Sequence, residues 1–338
     1  MRVFYFGNSL TMASQPRWHD NLAASVGKTW EVGWFTGAGW QPWQHRNELY
    51  RLMGREVGVP PESSASEGDL TLDPRDQSRS AEAVRTFLGN DWDAIVIQQF
   101  GPWVNRVTDQ LWQRKFERPI DIGDAGAAAD IIRVYLEQNP DGIVYLYSVW
   151  PAIDSGEPRE VDGERIRGAE FPRRDTFDYA ERWLHPYAGD LEMPWKNEFD
   201  IHRTREFAQQ VLTAVKAAFP EMAAQGRIRT IPAGDLYLQL DERLREGALP
   251  GIDSINHFYT DVQHQRAGLA NYTLAALFYA SIFGESPSNL DWTQYNNQAA
   301  YGPDRYNDFG EVIPVTPDRA AVIHAEIEKL VGLEPSKP

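Results

Sequence analysis

A serine hydroxyl becomes a useful nucleophile when a base takes its proton and a third group orients that base. The stretch Gly7-Asn8-Ser9-Leu10-Thr11 supplies one candidate hydroxyl, and Asp261-Val262-Gln263-His264 supplies a carboxylate and an imidazole three residues apart. In a loop, that spacing lets the carboxylate receive the imidazole Nδ1–H and leaves Nε2 to accept a serine proton. A blander role fits the same residues: Ser9 or Thr11 can cap a helix, and Asp261 can cap another with His264 in its first turn. The chain has seven histidines. His324 falls among surface residues of the last helical pattern, His202 at a helix start, and His185 before a proline. His257, four residues after Asp253, is the local competitor for the base.

The elements around these residues read as an α/β chain. Short apolar runs at 3–6, 30–35, 94–97 and 143–147 are too short for core helices and predict buried strands. Helical three-and-four spacing over 125–136, 205–219, 266–283 and 318–331 predicts amphipathic helices between and after them. Such alternation implies a three-layer α/β/α sandwich around a mostly parallel sheet. Thr316 and Pro317 predict the start of the last helix, and Gly284 the end of the one before it. In a parallel sheet the loop leaving a strand's C-terminal end opens into the ligand crevice, so Ser9 is delivered to the functional edge. A helix carried by Trp18, Leu22 and Val26 is expected after it. Segments 60–79, 151–200 and 286–314 read as insertions that cap or flank this edge, within a single domain spanning 1–338.

Composition narrows the partners. A net charge of -16 repels a polyphosphate backbone, so nucleic acid is not an expected partner. Absence of cysteine removes disulfides, thiolate metal sites and a thiol nucleophile together. No His-Glu-x-x-His or comparable cluster occurs, so neither metal nor cofactor is expected. No run reaches the roughly 18 apolar residues of a membrane span. The N-terminus enters a strand pattern at Arg2, which reads as cytoplasmic as written and as periplasmic or secreted if a signal peptide has been removed. Trp40, Trp43, Trp103 and Trp150 all follow predicted strand ends on the edge that carries Ser9. Indole faces there suit sugar rings, although tryptophan equally serves as a large core residue.

The block around Ser9 near one end and Asp261 to His264 near the other resemble the first and last sequence blocks of SGNH (GDSL-like) hydrolases, in order and in placement. The resemblance implies a flavodoxin-like fold and an esterase with Ser9 as nucleophile, His264 as base and Asp261 as its orienter. It also implies an oxyanion hole built from the backbone N–H groups of Ser9 and Gly37, with Gly39 as the fallback for the latter. The third block departs from the family: the usual Gly-x-Asn-Asp is replaced by Ile97-Gln98-Gln99-Phe100-Gly101-Pro102. The missing asparagine amide is then expected from Gln98, or from Gln99. Members with Gln at this block resemble carbohydrate esterases and deacetylases, so the expected substrate is a small acyl ester of a glycan. Two other readings stand beside it: a catalytically silent carbohydrate-binding protein on the same fold, and an SGNH hydrolase of lipid or thioester substrates.

Overall fold

The computed structural model describes residues 1–55, 74–99, 111–113, 118–120, 123–161, 163–166, 168, 171–186, 203–301 and 311–333. Five strands form the central sheet: β1 Arg2–Gly7, β2 Glu31–Thr36, β3 Ala94–Gln98, β4 Ile143–Ser148 and β5 Ile228–Pro232. Every neighbouring pair is parallel and the spatial order is β2-β1-β3-β4-β5. Parallel pairing needs crossovers, and those crossovers put helices on both faces. Phe4, Phe6, Ile95, Ile97, Val144 and Leu146 pack on one side against the helices Pro42–Leu52, Asp124–Gln138 and Arg205–Ala218. Val3, Tyr5, Val96, Tyr145 and Tyr147 face the other side, covered by the helices Ala233–Arg245, Leu269–Phe283 and Pro317–Val331. The chain is therefore a three-layer α/β/α sandwich.

Strand order decides where a site can form. From β1 the chain goes outward to β2, then crosses back over β1 to reach β3, so the direction of winding reverses between β1 and β3. At such a reversal the loops leaving the two strands diverge and leave a crevice at their C-terminal ends. Gly7 ends β1 and Gln98 ends β3, so the Ser9 turn lies at the mouth of that crevice.

Local sequence signals account for several elements. Thr316 caps the last helix by accepting the Arg319 N–H, with Pro317 at its first position. The helix Leu269–Phe283 ends at Gly284 in the left-handed region, φ 66°. That helix starts later than its apolar pattern predicts, because Gly268 at φ 85° breaks the helical path and its neighbours Ala267 and Leu269 pair with Ile313. A Cβ on Gly268 would collide with the Ile313 carbonyl oxygen. Gly268→Ala therefore meets both a disfavoured backbone region and a clash. We expect it to lower stability by about 2–4 kcal/mol, read as a fall in the urea midpoint; an unchanged midpoint would contradict the packing of Gly268 on Ile313.

Other elements differ from the expectations. β5 carries apolar Ile228 and Ile231 around the exposed Arg229 and Thr230, an edge strand with no continuous apolar run to reveal it. The helices Pro42–Leu52 and Ala233–Arg245 were not predicted either. After Ser9, the single expected helix is a short turn Ser9–Met12, a 3₁₀ turn Pro16–Trp18 and a helix His19–Ala24. The break falls at Gln15, whose φ of 54° no helix accepts.

Part of what reads as insertion is core. Phe177, Tyr179 and Trp183 from the second segment, and Leu290 and Tyr295 from the third, are buried in the cluster under the sheet. Tyr179 and Trp183 share one face of a helix of five residues, and short 3₁₀ turns deliver the others, so no run was long enough to show a periodicity. The first segment lies largely outside the described residues, apart from the start of the helix Pro74–Leu88. Among the described residues no helix is long and apolar enough to cross a membrane.

Candidate active site

The Ser9 turn is held by its neighbours before any substrate arrives. Asn8 leaves β1 in an extended conformation and its Oδ1 accepts the Leu10 N–H at 2.9 Å. The Asn8 carbonyl takes the N–H groups of Thr11 and Met12 at 3.0 and 3.2 Å. Ser9 is thus the first helical residue, where the backbone N–H has no intrahelical partner. Among the described residues that N–H donates to no other group either, and it stands beside the Ser9 hydroxyl. Gly7 is required by crowding, since a Cβ there would collide with the Thr11 hydroxyl. Its carbonyl accepts the His45 Nε2–H at 2.9 Å and the Gly37 N–H at 3.2 Å.

The second half of the site is a loop closed on itself. Thr260 N–H donates to the His264 carbonyl at 2.9 Å and Arg266 N–H to the Phe258 carbonyl at 2.7 Å. Within the loop, Asp261 Oδ1 accepts the Gln263 and His264 backbone N–H groups, both at 2.7 Å. Asp261 Oδ2 lies 2.6 Å from His264 Nδ1, and His264 Nε2 lies 2.8 Å from Ser9 Oγ. With Nδ1–H donating its hydrogen bond to the carboxylate, Nε2 is the acceptor for the Ser9 hydroxyl. Burial pushes the Asp261 carboxyl up, but the His264 imidazole and the two backbone N–H groups outweigh it and hold the carboxyl below its ordinary value. Arg174 fixes the loop from outside by donating to the Tyr259 and Thr260 carbonyls at 2.9 and 3.1 Å.

Other histidines take other parts. His257 is exposed and hydrogen-bonded to Asp253 at 3.0 Å, so it does not compete for Ser9. His324 is buried, against the expectation of a surface position, and its Nε2 lies 2.6 Å from the Tyr272 hydroxyl. His45, unmarked by any sequence signal, packs among Phe6, Phe35 and Trp40 beneath the Ser9 turn.

The oxyanion expectation needs correction at Gly37, and Gln98 has a further part. Gly37 already gives its N–H to Gly7, and its missing side chain makes room for the Trp40 ring. Gln98 turns its amide onto the Ser9 turn: Oε1 accepts from the Asn8 N–H at 3.2 Å and the Thr11 hydroxyl at 2.5 Å, while Nε2 donates to Asn8 Oδ1 at 2.9 Å. Gln98 therefore clamps the Ser9 turn. Asn8 completes the clamp by donating Nδ2 to the Trp40 carbonyl at 2.9 Å, tying the loops after β1, β2 and β3 together. The sequence reading missed Asn8. Its signal was a polar side chain between a crowded glycine and a candidate nucleophile.

Two of the four tryptophans are also corrected. Trp150 is wholly buried and donates Nε1–H to the Gln263 carbonyl at 2.8 Å, so it braces the Asp261–His264 loop. Trp40 is buried against Phe35 and His45. Burial removes the ring faces that a sugar would need. Trp43 is half-buried, with Nε1–H donated to Gln41 Oε1 at 3.2 Å. Trp103 lies outside the described residues.

No known family pattern matches the chain, and no curated protein matches it. Among solved structures it is similar to a DUF4886 family protein from Bacteroides uniformis ATCC 8492, with 11% identity over 99% of this chain and 97% of that one, TM-score 0.49. It is also similar to a possible lipase from Chitinophaga pinensis DSM 2588, with 10% identity over 98% of this chain and 99% of that one, TM-score 0.31.

Proposed function

We propose that the chain is a serine esterase of the SGNH type, acting through Ser9, His264 and Asp261. The observation that carries this reading is the continuous contact from Ser9 Oγ to His264 Nε2, 2.8 Å, and from His264 Nδ1 to Asp261 Oδ2, 2.6 Å. Ser9 Oγ attacks the ester carbonyl carbon as its proton passes to His264 Nε2, and the carbonyl oxygen becomes an oxyanion. The Ser9 N–H is the leading donor to that oxyanion, because the Gly37 N–H is given to Gly7; Gln98 has given one of its two Nε2 protons to Asn8 and keeps the other. The imidazolium, stabilised by the ionised Asp261, returns its proton to the departing alkoxide and leaves an acyl-enzyme. Water, deprotonated by Nε2, then attacks the acyl carbon; Ser9 recovers its proton and the acid leaves.

The preferred substrate is a small acyl ester of a carbohydrate. Polar loops at the sheet edge and the half-buried Trp43 indole, in the first turn of the helix that follows β2, favour that class over long-chain lipid esters. A fluorophosphonate probe tests the nucleophile directly. The adduct is expected on Ser9, in the tryptic peptide 3–17, and is expected to vanish in His264→Ala. A folded protein that takes no label, or takes it on another serine, overturns the reading.

A further inference from the structure

The loop 258–266 contains one carboxylate, Asp261, and one guanidinium, Arg266. Much of what holds it comes from the segment 151–200, which reads as an insertion in the sequence. Ile153 N–H donates to the Val262 carbonyl at 2.7 Å, and the Tyr259 hydroxyl donates to the Pro151 carbonyl at 2.8 Å. The Phe177 ring meets the Tyr259 ring edge-on, with centroids 5.8 Å apart. These contacts are neutral. Arg174, the first residue of the 3₁₀ turn Arg174–Thr176, adds a charge.

Arg174 is half-buried, and one nitrogen, Nη2, donates to both the Tyr259 and the Thr260 carbonyls. The Thr260 carbonyl belongs to the peptide bond that leads into Asp261, while the Thr260 N–H donates to the His264 carbonyl. A single residue thus joins the guanidinium to both ends of the Asp261–His264 pair. Asn256 Nδ2 donates to the Arg174 carbonyl at 3.0 Å and ties the arginine's own backbone to the chain entering the loop. Arg203 reaches the loop as well, but its donor lands on a side chain, Gln263 Oε1, at 2.8 Å. Burial pulls the Arg174 guanidinium below the ordinary arginine value, the Arg266 charge adds to that, and the Asp261 carboxylate opposes it. Interaction between charges is mutual, so the Arg174 cation favours an ionised Asp261 and disfavours a further cation beside it.

We propose that Arg174 is a positioning residue for the Asp261–His264 pair: its hydrogen bonds set where the loop holds the imidazole, and its charge keeps that imidazole neutral, and able to accept a proton, to a lower pH than the loop alone would. The consequence for rate rests on the proposed hydrolysis, whereas the effect on the imidazole does not. Displacing a catalytic group by about 1 Å costs on the order of a hundredfold in rate.

Three variants separate hydrogen bond from charge. Arg174→Met removes both, Arg174→Gln keeps a donor without the charge, and Arg174→Lys keeps donor and charge on another shape. The His264 ring is followed by NMR through a pH titration, its signals assigned by their loss in His264→Gln. Relative to the wild type, the midpoint of that titration is expected to rise by about half a pH unit in Arg174→Met and Arg174→Gln and to stay in place in Arg174→Lys. With 4-nitrophenyl acetate, kcat of Arg174→Met is expected to fall about tenfold or more with KM within about twofold, and Arg174→Lys to recover most of the loss. The acid limb of the pH–rate profile is expected to move with the NMR midpoint. If Arg174→Met lowers the thermal midpoint, Arg174→Gln carries the rate measurement. A His264 titration that stays in place in Arg174→Gln overturns the proposal whatever the rate does, because loosened packing alone lowers kcat without removing a charge. An unchanged kcat in an active enzyme overturns it too. A shifted titration in a protein that hydrolyses no ester overturns the esterase reading and keeps the role of Arg174; hydrolysis with an unshifted titration does the reverse.

Discussion

Ser9→Ala is expected to lower kcat for 4-nitrophenyl acetate by about five to six orders of magnitude, with the thermal midpoint little changed. The size follows from what the hydroxyl does: without it no acyl-enzyme forms, and only water positioned near the oxyanion donor remains. Ser9, His264 and Asp261 act as one chain of contacts, so their losses do not add. The double variant Ser9→Ala/His264→Ala should be no slower than either single one. Asp261→Asn should cost less, on the order of ten-thousandfold, because the imidazole loses its orientation and the support of its charge while the nucleophile survives. Steady-state kinetics on purified variants measure all three. A Ser9→Ala protein that keeps more than a few per cent of the wild-type rate would end the proposed mechanism.

The second large effect is on stability in acid. Burial lowers His19 and His45 from the ordinary imidazole value to about 3, and lowers His324 to about 4. Each is held neutral in the fold. His19 lies between Tyr5 and the Ser14 carbonyl with its ring stacked on Trp30, and His45 donates to the Gly7 carbonyl. An unfolded chain takes up protons on these imidazoles once pH falls below about 6.5, and the folded chain does not until its own lower values are reached. Unfolding therefore binds protons across that window, and stability falls as pH falls. At pH 4.5 each of the two fully buried imidazoles costs on the order of 2–3 kcal/mol relative to pH 7, a large share of the roughly 5–15 kcal/mol that holds a domain. Asp261 adds to this further down: its carboxyl lies below its ordinary value, so its contribution is present above the unfolded pKa and is lost as pH drops through the folded one. Urea titrations between pH 7 and pH 4.5 should show a steadily falling midpoint. A flat profile over that range would mean that these histidines are not buried as neutral groups.

Much of the candidate site could be read from residue type and local spacing. Ser9 stands out because a buried strand runs straight into Gly7-Asn8-Ser9, and Asp261 and His264 because three residues in a loop let a carboxylate reach an imidazole. Thr316, Pro317, Gly284 and the strands β1, β3 and β4 were legible for the same reason: caps, stops and short apolar runs are decided within a few residues. β5 was not, because an edge strand shares its apolar content with solvent-facing Arg229 and Thr230.

What escaped was whatever depends on partners far along the chain. Gln98 could be named as the residue standing where the family has asparagine, yet its amide oxygen and one of its two N–H groups hold Asn8 and Thr11, 90 and 87 residues away. Gly37 could be named as the glycine after β2, yet its N–H is taken by Gly7. Trp40 and Trp150 could be placed at strand ends, but whether an indole faces a crevice or a core is settled by what packs over it. By itself the sequence determined which side chains could form a nucleophile, base and orienter and that a buried strand leads into Ser9, because those are properties of residue type and short-range pattern. Only the tertiary structure decided that a hydroxyl and an imidazole 255 residues apart meet, and which N–H groups are already spent, because the reversal of winding between β1 and β3 and the competition for hydrogen bonds exist only once the sheet is assembled.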